Sequence, residues 1–183
     1  MHSPFVQLQQ SKDEALVREL HGTPQALRQT EADFIAARDC FFQATVNASG
    51  WPYVQHRGGP VGFIKVLDAH TIAYADYSGN RQYLSRDNVQ HNGRVSMILI
   101  DFARRRRLKL TGYATLVQTD DAPGLMAALA TPDYRARIER AVVIRVMAWD
   151  WNCPQHITPR FTEAEVLAML AEQQLAGDDG VAE

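Results

Sequence analysis

From Phe41 onward the chain alternates apolar and polar residues in short runs. The clearest is "RLKLTGYATLV", where Leu108, Leu110, Gly112, Ala114 and Leu116 hold one phase and Lys109, Thr111, Tyr113 and Thr115 the other. A two-residue period turns one set inward and the other outward on a strand. "FFQATVN", "PYVQHR", "VGFIKVL", "HTIAYAD", "RVSMILIDF" and "AVVIRVMAWDW" are also short and rich in β-branched and aromatic residues, and predict further strands. Turn chemistry separates them at Ser49-Gly50, Gly58-Gly59-Pro60, Asp68-Ala69-His70 and Asn92-Gly93.

Helical signals gather toward the ends. Ser11 and Glu14 have capping-box spacing ahead of "ALVREL", and Gly22 with Pro24 breaks that helix. "TEADFIAARD" predicts a second helix with Thr30 as its N-cap. "GLMAALA" predicts a short helix, and "TEAEVLAMLAEQQL" a C-terminal one capped by Thr162 with Glu165 three residues on. The expected organisation is one domain over 1–183: N-terminal helices in 1–40, a strand core in 41–161, a C-terminal helix in 162–175 and a flexible tail in 176–183. Successive strands lack crossover helices between them, so a doubly wound sheet is not expected. The fold class is mainly β with peripheral helices, a β-barrel.

Composition narrows the function classes. The chain of 183 residues is 46% apolar and 22% charged with formal net charge −2, an ordinary balance for a globular protein. Near-neutral charge argues against a dedicated nucleic-acid or membrane-surface protein. No apolar run approaches the ~20 residues that span a bilayer. The first residues lack a basic segment followed by an apolar one, so no signal peptide is expected and the expected location is cytoplasmic. Cys40 and Cys153 have no metal-type spacing and read as reduced thiols, with one disulfide as the alternative.

Three cations ask for an explanation. Lys65 sits inside the apolar "VGFIKVL", Arg81 in "SGNRQ", and Arg107 closes "RRRR" and enters a strand. Taken singly, each has a plain alternative: an edge-strand lysine facing water, a loop arginine, a solvated basic run. Together, adjacent antiparallel strands would bring Lys65 near the "YADYSGNR" turn. "RQYLSRDN" would start a short helix there, whose first N–H groups favour an anion. A lysine and an arginine beside such donors make a phosphate seat. The glycines of "HRGGP" would let a ligand approach the backbone beside Arg57. His56 and His156 titrate near neutrality, but His56 alternates with Arg57 along a strand and has the blander reading. Arg104 to Arg107 are too short a run, in a slightly acidic chain without an aromatic platform, to predict nucleic-acid binding.

The pieces "VGFIK", "SGNRQ", "DNVQHNGRVSMILID" and "RRLKLTG" fall in an order and spacing that resembles the FMN-binding split-barrel family, the relatives of pyridoxamine phosphate oxidase. The resemblance runs roughly from Phe41 to Phe161. It implies a split β-barrel that works as a homodimer, with FMN as cofactor. It implies that Lys65 and Arg81 bind the FMN phosphate with Asn80 or Gln82 helping. Phe63 and Ile64 would present backbone to the isoalloxazine, Asp76 would line the flavin, and Arg107 would stand near the polar edge of the ring. Trp151 and Arg160 have nearly the spacing of a family pair that reaches the flavin bound mainly by the other subunit. One departure concerns "HITPR", where His156 and Thr158 replace the Arg-x-His pair that handles the phosphorylated pyridoxal compound. His156 is then a substrate-side residue, and pyridoxamine phosphate is not the expected substrate. The resemblance implies an FMN-dependent oxidoreductase acting on a small molecule, with NADH or NADPH as a transient electron donor, since no Gly-x-Gly-x-x-Gly motif offers a dedicated dinucleotide site. The alternative on the same fold is a non-catalytic carrier or sensor of flavin or haem; a deazaflavin could also replace FMN.

Overall fold

The computed structural model describes residues 23–79, 83–132 and 134–178. Helix α1 (Gln29–Ala36) precedes strands β1 (Cys40–Val46), β2 (Pro52–Gly58), β3 (Ile64–Asp68) and β4 (Thr71–Tyr77). Helix α2 (Leu84–Asn92) leads into β5 (Arg94–Asp101) and β6 (Arg106–Gln118). Then come α3 (Pro123–Leu129), β7 (Ile138–Asn152) and α4 (Glu163–Asp178). The predicted helix around Ser11 and Glu14 lies outside the described residues, as do 179–183.

The strands form one antiparallel sheet in the order β2-β1-β5-β6-β7-β4-β3. Among the described residues no ladder joins the edge strands β2 and β3, so this sheet is not closed into a barrel. It is nevertheless strongly curled. β1 and β4 are four steps apart in that order, which in a flat sheet would be roughly 19 Å. Yet the Tyr74 hydroxyl donates to Gln43 Oε1 at 2.8 Å, and the Phe41 and Tyr74 rings meet at 5.0 Å. The curl encloses the main core, where Phe41, Phe63, Ile64, Ile72, Tyr74, Leu99, Leu108, Leu110 and Ile144 pack together. α1 packs against β3 and sends Phe34 and Ile35 into that core.

On β6 the alternation holds: Leu108, Leu110, Gly112 and Ala114 are buried, while Arg107, Lys109, Thr111 and Tyr113 on the opposite face are half-buried. A second, smaller core lies on the outer face of β4 and β7. There Ala73, Ala75 and Ala141 take Leu129 of α3.

Local chemistry moves some boundaries. β3 starts at Ile64 rather than Val61, because Gly62 adopts φ +78° and Phe63 N donates to Pro60 O in a turn. The cap of α1 is Arg28, not Thr30, which lies inside the helix. Glu31 reaches back to the Arg28 N–H at 3.1 Å and so satisfies the helix start without a hydroxyl cap. Thr162 does cap α4: Glu165 N donates to its Oγ1 at 3.2 Å, and its own N donates to Glu165 Oε2 at 2.8 Å. α4 runs to Asp178, past the predicted end at 175. Gly93 closes α2 in the left-handed conformation, as the Asn92-Gly93 turn suggests. Cys40 and Cys153 are free thiols. No described helix is long and apolar enough to cross a membrane.

Candidate functional site

Strand phase decides where each candidate side chain goes. Asp76 shares its face with Ile72 and Tyr74, so it points to the inside of the curl. Arg57, on β2, points inward with Tyr53 and Gln55. The two meet in an ion pair that spans the gap between one edge of the sheet and β4. Arg140, in phase with buried Val142, Ile144 and Val146, donates to the other Asp76 oxygen at 3.0 Å and to Glu139 at 3.0 Å. Gln55 Oε1 accepts from Arg57 at 3.3 Å and from Ser85 at 2.9 Å. One carboxylate thus holds two arginines, and its side chain is only 13% exposed. Burial works against the charge on Arg57, but Tyr74 and Asp76 outweigh it and raise its pKa. Burial also raises the Tyr74 phenol, with Arg57 pulling the other way.

Lys65 goes elsewhere. It stands opposite Ala73, whose side chain belongs to the outer core, so Lys65 is half-buried on the outer face. β3 is an edge strand, which explains how an apolar run tolerates a lysine. Arg107 also points outward, and its Nε is buried without a partner among the described residues. Phe63 and Ile64 are buried, and Phe63 stacks on Phe41 at 5.8 Å. Gly59 is explained by that ring: a Cβ there would lie 2.6 Å from Phe63 Cγ. The glycine therefore makes room for that ring to pack. Asn80, Arg81 and Gln82 lie outside the described residues.

The end of β7 turns toward α1. Trp151 Nε1 donates to Glu31 Oε1 at 2.7 Å, and its ring meets Phe34 edge-on at 4.8 Å. Arg106 lies 4.4 Å from the Trp151 ring centre. Burial raises the Glu31 carboxyl, but hydrogen bonds from Arg28 and Trp151 prevail and lower it.

Residues 27–152 match the family model described as pyridoxamine 5'-phosphate oxidase. The chain belongs to that family. Two solved structures share the fold. A putative pyridoxamine 5'-phosphate oxidase from Lactobacillus delbrueckii is 17% identical with TM-score 0.53, covering 69% of this chain and 94% of its own. HupZ from Group A Streptococcus is 18% identical with TM-score 0.53, covering 74% and 99%. No curated protein sequence matches the chain.

Within this pyridoxamine phosphate oxidase family chain, the segment after β7 holds the remaining candidates. His156 is exposed in the left-handed region at φ +62°, next to buried Ile157. Arg160 lies 5.1 Å from the Phe102 ring centre. It borders a cleft of about 410 Å³ that also contains Arg38, Cys40 and Asp101. Burial and then Asp39 push the Cys40 thiol up to about 11, so it is held as an unreactive thiol. No group of His, Cys, Asp and Glu among the described residues could hold a metal. The sequence reading missed Arg140, Gln55 and Ser85. Arg140 had a readable signal: an arginine in the same strand phase as Val142, Ile144 and Val146.

Proposed function

We propose that this member of the pyridoxamine phosphate oxidase family is an FMN-dependent oxidoreductase that works as a homodimer on a small molecule. Family membership supports flavin binding in general terms. The observation that carries the finer reading is the placement of two cations on the outer face. Lys65 pairs in register with Ala73, Ala73 with Val143, and Val143 with Thr115. Thr115 is eight residues along β6 from Arg107, roughly 26 Å of extended strand. One flavin touching both kinds of cation would lie between two copies of the chain.

The donor set suits FMN. Lys65 would hold the phosphate as a point charge, with Arg81, Asn80 and Gln82, outside the described residues, as further candidates. The orphaned Arg107 N–H would meet a carbonyl or the negative edge of the reduced ring, which would remove a buried unpaired donor. When bound, FMN supplies the redox chemistry. The chain's own residues bind and orient it and shape access to its face. NADH or NADPH is the proposed electron donor, arriving transiently.

Purified protein should show absorption bands at about 375 and 450 nm and release FMN by mass, as flavoproteins do. Light scattering should give the mass of two chains. Lys65→Ala should weaken FMN binding by about 1.5–3 kcal/mol, the scale of a hydrogen bond to a charged group. A colourless protein that fails to bind added FMN would end this reading. A verified monomer that keeps FMN would remove the shared site.

A further inference from the structure

The β5–β6 hairpin carries a second cationic site whose arginines, Arg104, Arg105 and Arg106, the flavin reading does not use. Its four-residue turn is held by Arg104 N donating to Asp101 Oδ1 at 2.9 Å and Arg105 N to Phe102 O at 3.3 Å. Asp101 is the local counter-charge, and it is already shared: Arg38 reaches it at 3.1 Å and Arg104 at 3.3 Å. Arg105 and Arg106 form no ion pair with any described residue. Their charges stand within a chain whose net charge is negative, so the excess here is local.

Behind them lies a cleft of about 460 Å³ lined by Arg104, Arg105, Arg106, Trp151, Asn152 and Pro154. That volume is in the range of small-molecule sites, roughly 300–1,000 Å³. Two details show that the cleft is shaped rather than a random basic run. Trp151 braces the Arg106 guanidinium and is itself fixed by Glu31. Asn152 presents a buried amide oxygen without a partner among the described residues. Rotating that amide by half a turn would offer its NH₂ donors instead. In addition, Arg105 takes φ +52°, a conformation that favours glycine by about 1–2 kcal/mol. The chain keeps a long cationic side chain where a glycine would sit more easily.

We propose that this cleft binds the diphosphate group of a small molecule. Two or more fixed negative charges would neutralise Arg105 and Arg106 together, and the planar guanidinium of Arg106, held on Trp151, would engage phosphate oxygens in bidentate fashion. The site stands on these residues alone and does not depend on flavin being bound.

Calorimetric titration of the full-length protein with inorganic pyrophosphate tests it, at physiological ionic strength and with FMN content measured in parallel. Saturable binding of one pyrophosphate per chain is expected. Arg105→Gly and Arg106→Gln should each weaken it about tenfold or more, the loss of one charge-assisted contact. Arg105→Gly relieves the left-handed strain, so its melting temperature should be unchanged or higher and a folding defect cannot account for the loss. FMN content should stay the same in Arg105→Gly, which separates this site from the flavin reading. ADP and NADPH titrations identify the source: tighter binding than pyrophosphate indicates a nucleotide, equal binding a simpler phosphorylated compound. Absence of saturable pyrophosphate binding overturns the proposal, as does binding indifferent to Arg105→Gly and Arg106→Gln. Tight, steeply salt-dependent binding of a single-stranded oligonucleotide without pyrophosphate binding would also overturn it.

Discussion

Two arginine clusters in this chain are treated in opposite ways. Inside the curl, Arg57 and Arg140 close on one largely buried carboxylate, Asp76, and neighbouring side chains take up further donors. At the β5–β6 hairpin, Asp101 serves Arg38 and Arg104, and Arg105 and Arg106 extend beyond it. The first cluster closes the gap between strands that no backbone ladder joins. The second presents charge to the surroundings. The difference shows that an arginine's role follows from what the fold brings to it. "HRGGP" drew attention as a ligand loop, yet Arg57 has its main partner 19 residues away within the chain.

The comparison can be broken most forcefully at Asp76. Asp76→Ala leaves two nearly buried cations without their shared anion, and should cost about 3–5 kcal/mol of stability in urea unfolding. A loss under about 1 kcal/mol would mean that water, not the carboxylate, stabilises these arginines. The hairpin should respond less. Asp101→Asn keeps one acceptor for the Arg104 N–H but loses the charge, and about 1–2 kcal/mol is expected. Acid should bring out the same residue. Burial raises the Asp101 carboxyl, but the Arg104 N–H and the Arg38 and Arg104 charges prevail and hold it below the ordinary carboxylate range. Its contribution is therefore present above the unfolded carboxylate pKa of about 3.9 and is lost as pH falls through the lower folded value. Stability measured against pH should fall less steeply at the acid end in Asp101→Asn than in the parent; parallel curves would refute the assignment. The smallest effect belongs to Arg104→Ala. Its side chain is 69% exposed, so a change within about 0.5 kcal/mol is expected by thermal melting.

Much of the sheet was readable because burial alternates residue by residue. The β6 run announced its inner face, and turn residues marked the strand boundaries closely. The misreadings arose where a local rule met a distant or competing contact. Thr30 looked like a cap by type, but Glu31 fixed the helix start two residues earlier, at Arg28, from inside the helix. Gly59 looked like space for a ligand, but a phenyl ring four residues on fills it. Asp76 and Lys65 were expected to line one flavin, whereas strand phase sends them to opposite faces. No local pattern could have joined Arg140 to Asp76, because their contact crosses 64 residues. Residues in phase on one strand are legible from sequence; pairings between distant strands depend on sheet order, which the pattern leaves open.

That sheet order also constrains how the chain is made. β3 and β4 form their hairpin early, but the other edge of β4 belongs to β7, which is synthesised much later: Asp76 waits 64 residues for Arg140. At about 5–20 residues per second, this edge stays unpaired on the ribosome for roughly 3–13 s. β1, β2, β5 and β6 can pair within that interval, since their ladders close before β7 appears. Folding during synthesis therefore passes through a stage with an apolar strand edge open, and that is where a chaperone would have most to protect and where expression at high temperature would first lose protein to aggregation.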